Sequence, residues 1–352
     1  MNTTNIEEKE YKAMIHLTQI EMESHRKDQP YEKAIQIFFK IIKKDIFLYQ
    51  EITSYLESAS YDEFIKYFGE IKKSFYVISS FYGYITKDAI NKINLLIQSN
   101  LNQQENILAK SLNIPEDKIS EYIHSHRELD GSYVFRTIND LKTEVNNVIV
   151  NFYQIGKRDK TNILIMDLIT LAWDNMFYFN LRTVKQLGYV VSSQKYIKDN
   201  YMYFVFLLQG SKSTPNKMNS DIDEVIELVK KRLDSLESDQ FNEFKENLAV
   251  QLMKSSNNLK ESSDHVWEEI LNGSFEFNRR YDLFDELKNI KKDDVIRLFH
   301  EVFYQNVRKL SIQIFSHNNL EDAVRLINRS EENYNLNQLI KSKVTNDLKI
   351  LN

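Results

Sequence analysis

Apolar positions along the chain fall into two textures. Over roughly the first hundred residues they recur at helical spacing: residues 5–24 form one stretch, and after "RKDQP" Ile35, Phe38, Phe39 and Ile42 mark a second helix from Tyr31 to Lys44. Two more helices are predicted at about 48–57 and 60–73. The segment "SFYVISSFYGY" at 74–84 is rich in β-branched and aromatic residues and reads as a strand. Thr86 can cap the helix that follows, which carries Ile90, Ile93, Leu96 and Ile97. Residues 102–130, with Pro115 and the polar "EYIHSHRELDGS", read as a solvated connection.

From about 132 the pattern alternates between strand and helix. Strands are predicted at 133–139 and 147–154, then a single helix over 161–180 carrying Ile165, Leu168, Ile169, Ala172, Trp173 and Met176. "YVVSSQKY" and "YMYFVFLLQ" read as a hairpin. Ile222, Val225, Ile226, Val229, Leu233 and Leu236 line one face of the next helix, and further helices follow at about 239–253, 260–272 and 292–304. A strand at 309–315 alternates Leu310, Ile312 and Ile314, ahead of a helix near 320–328 and a polar tail. The expected fold is α+β, an antiparallel sheet with helices packed on one face, preceded by a mostly helical region.

Composition narrows the function classes. The chain has 352 residues, enough for two or three domains, and a net charge of −5 with lysines interspersed among acids, which argues against nucleic acid as a partner. With no cysteine there are neither disulfides nor thiolate metal sites, a usage that fits a reducing compartment. The polar, acidic start has no signal-peptide pattern, and the longest apolar run, "YMYFVFLL" at 201–208, is too short to span a membrane. A cytoplasmic protein without membrane contact is expected.

Candidate metal sites are incomplete. His124 and His126 are two histidines in a polar stretch, half a site. "HVWEE" at 265–269 places Glu269, and "HEVFY" at 300–304 places Tyr304, where a zinc motif needs its second histidine. No metal is expected on this chain. There is also no Gly-rich phosphate loop, nucleophile elbow or cysteine nucleophile.

The string "LRTVKQLGYV" at 181–190 carries more. Local chemistry accounts for a helix ending at Leu187, with Gly188 as a left-handed cap and Tyr189 opening a strand. As a whole it resembles the "LRT-x-x-QLGY" of the insulin-degrading enzymes, inverted-motif zinc peptidases of the insulinase and pitrilysin type. "HRKDQP" at 25–30 is similar to that family's Arg-x-Glu-Gln-Pro, with Asp28 replacing Glu. "FYGYITKDA" at 81–89, "EVNN" at 144–147 and residues 267–303 are also similar, colinearly over about 5–315.

The resemblance implies a partial third domain at 1–113, a connection at 114–131, a fourth domain at 132–330 and a polar tail at 331–352. The two domains that hold the His-x-x-Glu-His zinc site are absent from this sequence. It therefore implies the C-terminal half of a metalloendopeptidase, inactive alone, whose partner is an N-terminal catalytic half carrying the zinc and whose substrates are peptides. Carried over by residue, Arg182 and Tyr189 would donate in trans, the guanidinium to a substrate carbonyl and the phenol to the developing oxyanion. The competing readings are a non-catalytic peptide-binding or scaffold protein and a truncated gene model of a full-length protease.

Overall fold

The computed structural model describes residues 6–43, 46–71, 78–102, 126–173, 175–198, 200–272 and 274–329. In chain order the helices before the sheet are α1 (Glu8–Ser24), α2 (Pro30–Ile42), α3 (Tyr49–Ser58), α4 (Tyr61–Ile71) and α5 (Lys87–Asn102). Strands β1 (Ser132–Ile138) and β2 (Asn147–Lys157) follow, then α6 (Lys160–Trp173) and a π-helical segment, Tyr178–Val184. After the hairpin β3 (Val190–Lys198) and β4 (Tyr201–Gly210) come α7 (Pro215–Asp234), α8 (Ser238–Met253), α9 (Leu259–Leu271), α10 (Arg279–Leu287) and α11 (Lys292–His300). A second π-helical turn at Glu301–Gln305, β5 (Lys309–Phe315) and α12 (Leu320–Arg329) complete the described chain. Contacts group these elements into two units, one of Met1–Arg26, Phe47–Ile119 and Ser256–Leu271, the other of Lys27–Ile46, Ser120–Ser255 and Asn272–Asn352.

The second unit is built on a five-stranded sheet in the order β1-β5-β2-β4-β3. Three ladders are antiparallel, while β1 joins β5 in parallel, Phe135 opposite Ile312. The α+β class is as expected, and the sheet is mixed. Strand period decides what each face buries. Ile149, Met202, Phe204, Phe206 and Leu208 point into one apolar cluster with α6, α7, α10 and α11. Val148, Val150, Phe152, Tyr203, Val205, Leu310, Ile312 and Ile314 point into another.

That second face is covered too, which corrects the expectation of helices on one face only. Ala34, Phe38, Ile41 and Ile42 of α2 lie in its cluster. Phe38 stacks on Phe152 with ring centroids 3.6 Å apart and meets Tyr203 edge-on at 5.3 Å. The physical reason is in β5, whose alternating apolar residues all face away from the main helical layer and need their own cover.

Residues 126–130 are also packed rather than solvated, a second correction. Arg127 and Leu129 are buried, Arg127 Nη1 donates to the Ile41 carbonyl at 2.8 Å, and Gln154 Oε1 accepts from Leu129 N–H at 2.7 Å. His126 stacks on Tyr201 and hydrogen-bonds the Tyr203 hydroxyl at 2.9 Å. His124, the rest of the connection to 125 and the polar tail lie outside the described residues.

The first unit is helical. Tyr11 of α1 packs against Tyr61 and Phe64 of α4, and the Tyr61 hydroxyl donates to the Ile6 carbonyl at 2.6 Å. The strand expected at 74–84 is not formed over 78–84, which run as exposed irregular chain with Gly83 at φ 127°; 74–77 lie outside the described residues. A β-rich composition makes a strand only where a neighbouring strand pairs with it.

A π-helical turn and a glycine contact build the candidate site

The helix expected over 161–180 is two elements. α6 ends at Trp173, Asn175 takes a left-handed φ of 58°, and the chain resumes as the π-helical segment at Tyr178–Val184. Its wider winding is visible where Lys185 N–H reaches back to the Asn180 carbonyl at 2.9 Å and Leu187 N–H to the Leu181 carbonyl at 3.0 Å. Phe177 and Leu181 are buried, Phe177 stacking on Phe206 at 4.5 Å. With those two anchored in the core, Tyr178, Phe179, Arg182 and Val184 are left at the surface.

The segment is pinned by charge. Lys185 Nζ bonds Asp221 Oδ1 at 2.6 Å and also Glu224, and Lys217 Nζ reaches the same Asp221 oxygen at 2.9 Å. Asp221 is almost fully buried. Burial opposes the Lys185 charge, but the hydrogen bonds it donates to Asp221 and Glu224, with the charge of those carboxylates, outweigh it and hold the ammonium above its ordinary value. A buried carboxylate bound by two lysines resists removal of either partner.

Gly188 is not the left-handed residue expected of it: Gln186, at φ 51°, takes that role. The glycine is needed for space. A Cβ on Gly188 would stand 1.9 Å from the Gln209 carbonyl oxygen, and one on Gly210 would stand 2.2 Å from the Leu187 carbonyl oxygen. Two glycines therefore let the loop before β3 touch the end of β4 backbone to backbone. Asn147, at the start of β2, holds the far side: its Nδ2 donates to Ser213 O and Asn319 Oδ1, and its Oδ1 accepts from Ser316 N–H.

Between these supports lies an open cavity of about 550 Å³ whose walls include Asn146, Tyr178, Arg182, Tyr189, Ser211 and Lys212, with no Asp or Glu among the lining residues. Arg182 Nη1 donates to the Gly188 carbonyl at 2.5 Å, and Gly188 directly precedes Tyr189. The two residues singled out from the sequence thus share one cavity wall. Half of Tyr189 is exposed, and its hydroxyl donates to Gln29 Oε1 at 2.9 Å while accepting from Gln209 Nε2 at 2.6 Å. Arg182 offers a charged donor and Tyr189 a neutral one, a set suited to an oxygen that gains negative charge.

His265 lies on α9, and His300 ends α11 with its ring tilted against Tyr304 at 5.5 Å. The Tyr304 hydroxyl donates to Glu227 at 2.7 Å, and burial together with that carboxylate pushes its pKa up. Among the described residues no group of three or more His, Cys, Asp or Glu side chains could hold a metal, and no helix is long and apolar enough to cross a membrane. Sequence reading missed Gln209, which sits in an apolar run with nothing local to mark it. It noticed Gln29 within "HRKDQP" without placing it at the site.

Residues 168–267 match the family described as the C-terminal lobe domain 4 of PqqF-like PQQ synthases. The chain is 22% identical over 297 residues to a nardilysin-like protein of Arabidopsis thaliana, covering 82% of this chain and 28% of that protein. To human insulin-degrading enzyme it is 19% identical over 302 residues, covering 86% of this chain and 29% of that one. Its fold matches the crystal structure of pitrilysin with a TM-score of 0.70 at 16% identity, over 97% of this chain and 35% of pitrilysin. The chain spans under a third of the length of these two relatives. Its homologues are insulin-degrading-enzyme-like and nardilysin-like proteins, and its fold is that of the pitrilysin-type peptidases.

Proposed function

We propose that this homologue of the insulin-degrading enzymes is the substrate-chamber half of a zinc metalloendopeptidase that cleaves peptides together with a separate N-terminal half. On this reading the zinc is carried by that partner half. What this chain contributes is a donor set: Arg182 and Tyr189 on one wall of a cavity free of acidic lining, which is the observation that carries the reading.

Peptide hydrolysis moves negative charge onto the scissile carbonyl oxygen. A donor aimed at that position stabilises the transition state more than the ground state. Arg182 spends one N–H on the Gly188 carbonyl, which sets the direction of the guanidinium and leaves its other N–H groups for a substrate carbonyl. Tyr189, which lines the same cavity, carries a neutral hydroxyl. Because the π-helical segment is tied to the core by Phe177 and Leu181 and followed by Lys185 bound to α7, the backbone that carries Arg182 is held in place before a peptide arrives.

The test is reconstitution with a chain bearing the His-x-x-Glu-His motif, followed by kcat/KM on a model peptide. Tyr189→Phe should lower turnover by roughly ten- to a thousandfold while the melting curve stays put, since one exposed hydroxyl is lost and the ring is kept. Arg182→Lys should also impair turnover, because an ammonium cannot reproduce a planar fork. Unchanged turnover in both variants would overturn the reading and favour a non-catalytic peptide-binding role.

A further inference from the structure

The hydroxyl of Tyr189 sits in a hydrogen-bonded triangle whose direction is dictated from the protein interior. Gln209, fully buried at the end of β4, presents Oε1 to the backbone N–H of Tyr31 at 2.9 Å. A backbone N–H can only donate, so the opposite amide orientation would set two donors against each other. With Oε1 fixed there, Nε2 must face the other way, and it lies 2.6 Å from the Tyr189 hydroxyl and 3.0 Å from Gln29 Oε1. An amide nitrogen cannot accept. The phenol oxygen therefore accepts from Gln209, and its single proton must go to another partner, which in this structure is Gln29 Oε1 at 2.9 Å.

We propose that Gln209 is a positioning residue that makes Tyr189 an obligate hydrogen-bond donor, with Gln29 as the resting acceptor that a substrate carbonyl displaces. The assignment rests on the peptidase reading for its purpose, though its geometry stands independently. Three links carry it. Pro30 opens α2, whose Glu32 side chain accepts from Gln29 N–H at 2.9 Å, so the turn at 29–31 that aims the Tyr31 N–H and the Gln29 side chain is itself held in place. Gly188 and Gly210 allow the backbone approach that brings Tyr189 beside Gln209. A bond accepted by a hydroxyl also polarises its own O–H, so Gln209 strengthens Tyr189 as a donor besides orienting it. This gives the Gln-Pro pair of "HRKDQP" a functional place: it supplies the acceptor that keeps the phenol proton pointed and occupied until a peptide enters.

Gln209→Glu keeps the shape and reverses the direction, since a carboxylate accepts from both Tyr31 N–H and the Tyr189 hydroxyl and draws the phenol proton inward. Gln209→Met keeps the volume and removes all three bonds of the amide. The first readout is the tyrosine Cζ resonance of Tyr189 in the 352-residue chain, assigned by its loss in Tyr189→Phe and requiring no partner. It should move downfield in Gln209→Glu, farther than in Gln209→Met. Should Gln209→Glu not fold, Gln29→Leu just before α2 removes the resting acceptor and with it the Gln209–Gln29 bond, while the bonds from Gln209 to Tyr31 and Tyr189 remain, and the resonance should move upfield. In the reconstituted enzyme, Gln209→Glu should lower kcat by on the order of tenfold or more with little change in KM, and Gln209→Met should lower it less. A Tyr189 resonance that stays at its wild-type position in these variants overturns the assignment, as does a kcat that falls in step with melting temperature in both Gln209 variants. If the resonances move as expected but no zinc-bearing half confers activity, the positioning role stands and the peptidase reading falls.

Discussion

All ten residues of β4 are buried, and the core on both sides of the sheet reaches zero exposure at Ile149, Phe204, Ala34 and Ile41. In the helical unit, Tyr11 and Ile270 are the buried apolar residues among those described, while Leu17, Tyr55, Tyr67, Leu95 and Leu259 are each more than half exposed. Both regions have amphipathic helices. The difference is that a sheet supplies a continuous apolar surface wide enough for several helices at once, whereas helices with narrow stripes and no sheet shield each other only in pairs. Burial therefore depends less on how apolar a segment is than on whether a broad partner surface exists for it.

Hydrogen exchange should show the largest contrast. Amides of β2 and β4 should exchange only with global unfolding, and those of α3 and α4 through local opening, orders of magnitude faster. Comparable protection in the two regions would break the comparison. Paired truncations test it next. Phe38→Ala removes a ring stacked on Phe152 and edge-on to Tyr203 and should cost about 3–5 kcal/mol, whereas Phe64→Ala in the helical unit should cost about 1 kcal/mol, both read from denaturant melts.

Gly188→Ala is smaller. Its Cβ would overlap backbone rather than a movable side chain, so a loss of about 1–3 kcal/mol is expected, together with a displaced Tyr189. A neutral result would mean that the loop before β3 has as much slack as the exposed helical unit. The smallest effect concerns pH. Asp294 accepts from Lys291 N–H at 3.0 Å at the start of α11, and that bond, with Arg297 at 2.6 Å, outweighs burial and holds its carboxyl below the ordinary value. Its folded pKa is depressed, so its contribution is present above the unfolded value and is lost as pH falls through the folded one. Asp294→Asn should cost a few tenths of a kcal/mol at neutral pH and nothing at acid pH, read as converging melting temperatures.

Much of this was legible in the chain itself. Strong period-2 and helical patterns located β1 to β5 and most of the helices around them, because burial on one face leaves a regular trace, but not the short α10, which has few apolar positions. The "LRTVKQLGYV" string singled out Arg182 and Tyr189, which line one cavity, and the resemblance to the insulin-degrading enzymes is matched by the homologues found. Composition misled at 78–84, where aromatic and β-branched residues have no strand beside them, and at 161–180, where one apolar stripe runs across a break and a change of helical winding.

What the sequence determined by itself was local: which segments are helix or strand, which face of each is apolar, and which unusual string to examine. What only the tertiary structure decided was pairing across distance. It placed α2 on the sheet's second face, set Gly188 against Gly210 for want of room and not for a left-handed turn, and brought Gln29, Tyr189 and Gln209 into one triangle although the outer two are 180 residues apart. The reason is that periodicity records only whether a position is buried, whereas a hydrogen bond requires a particular donor to meet a particular acceptor, and no local pattern along the chain encodes that meeting.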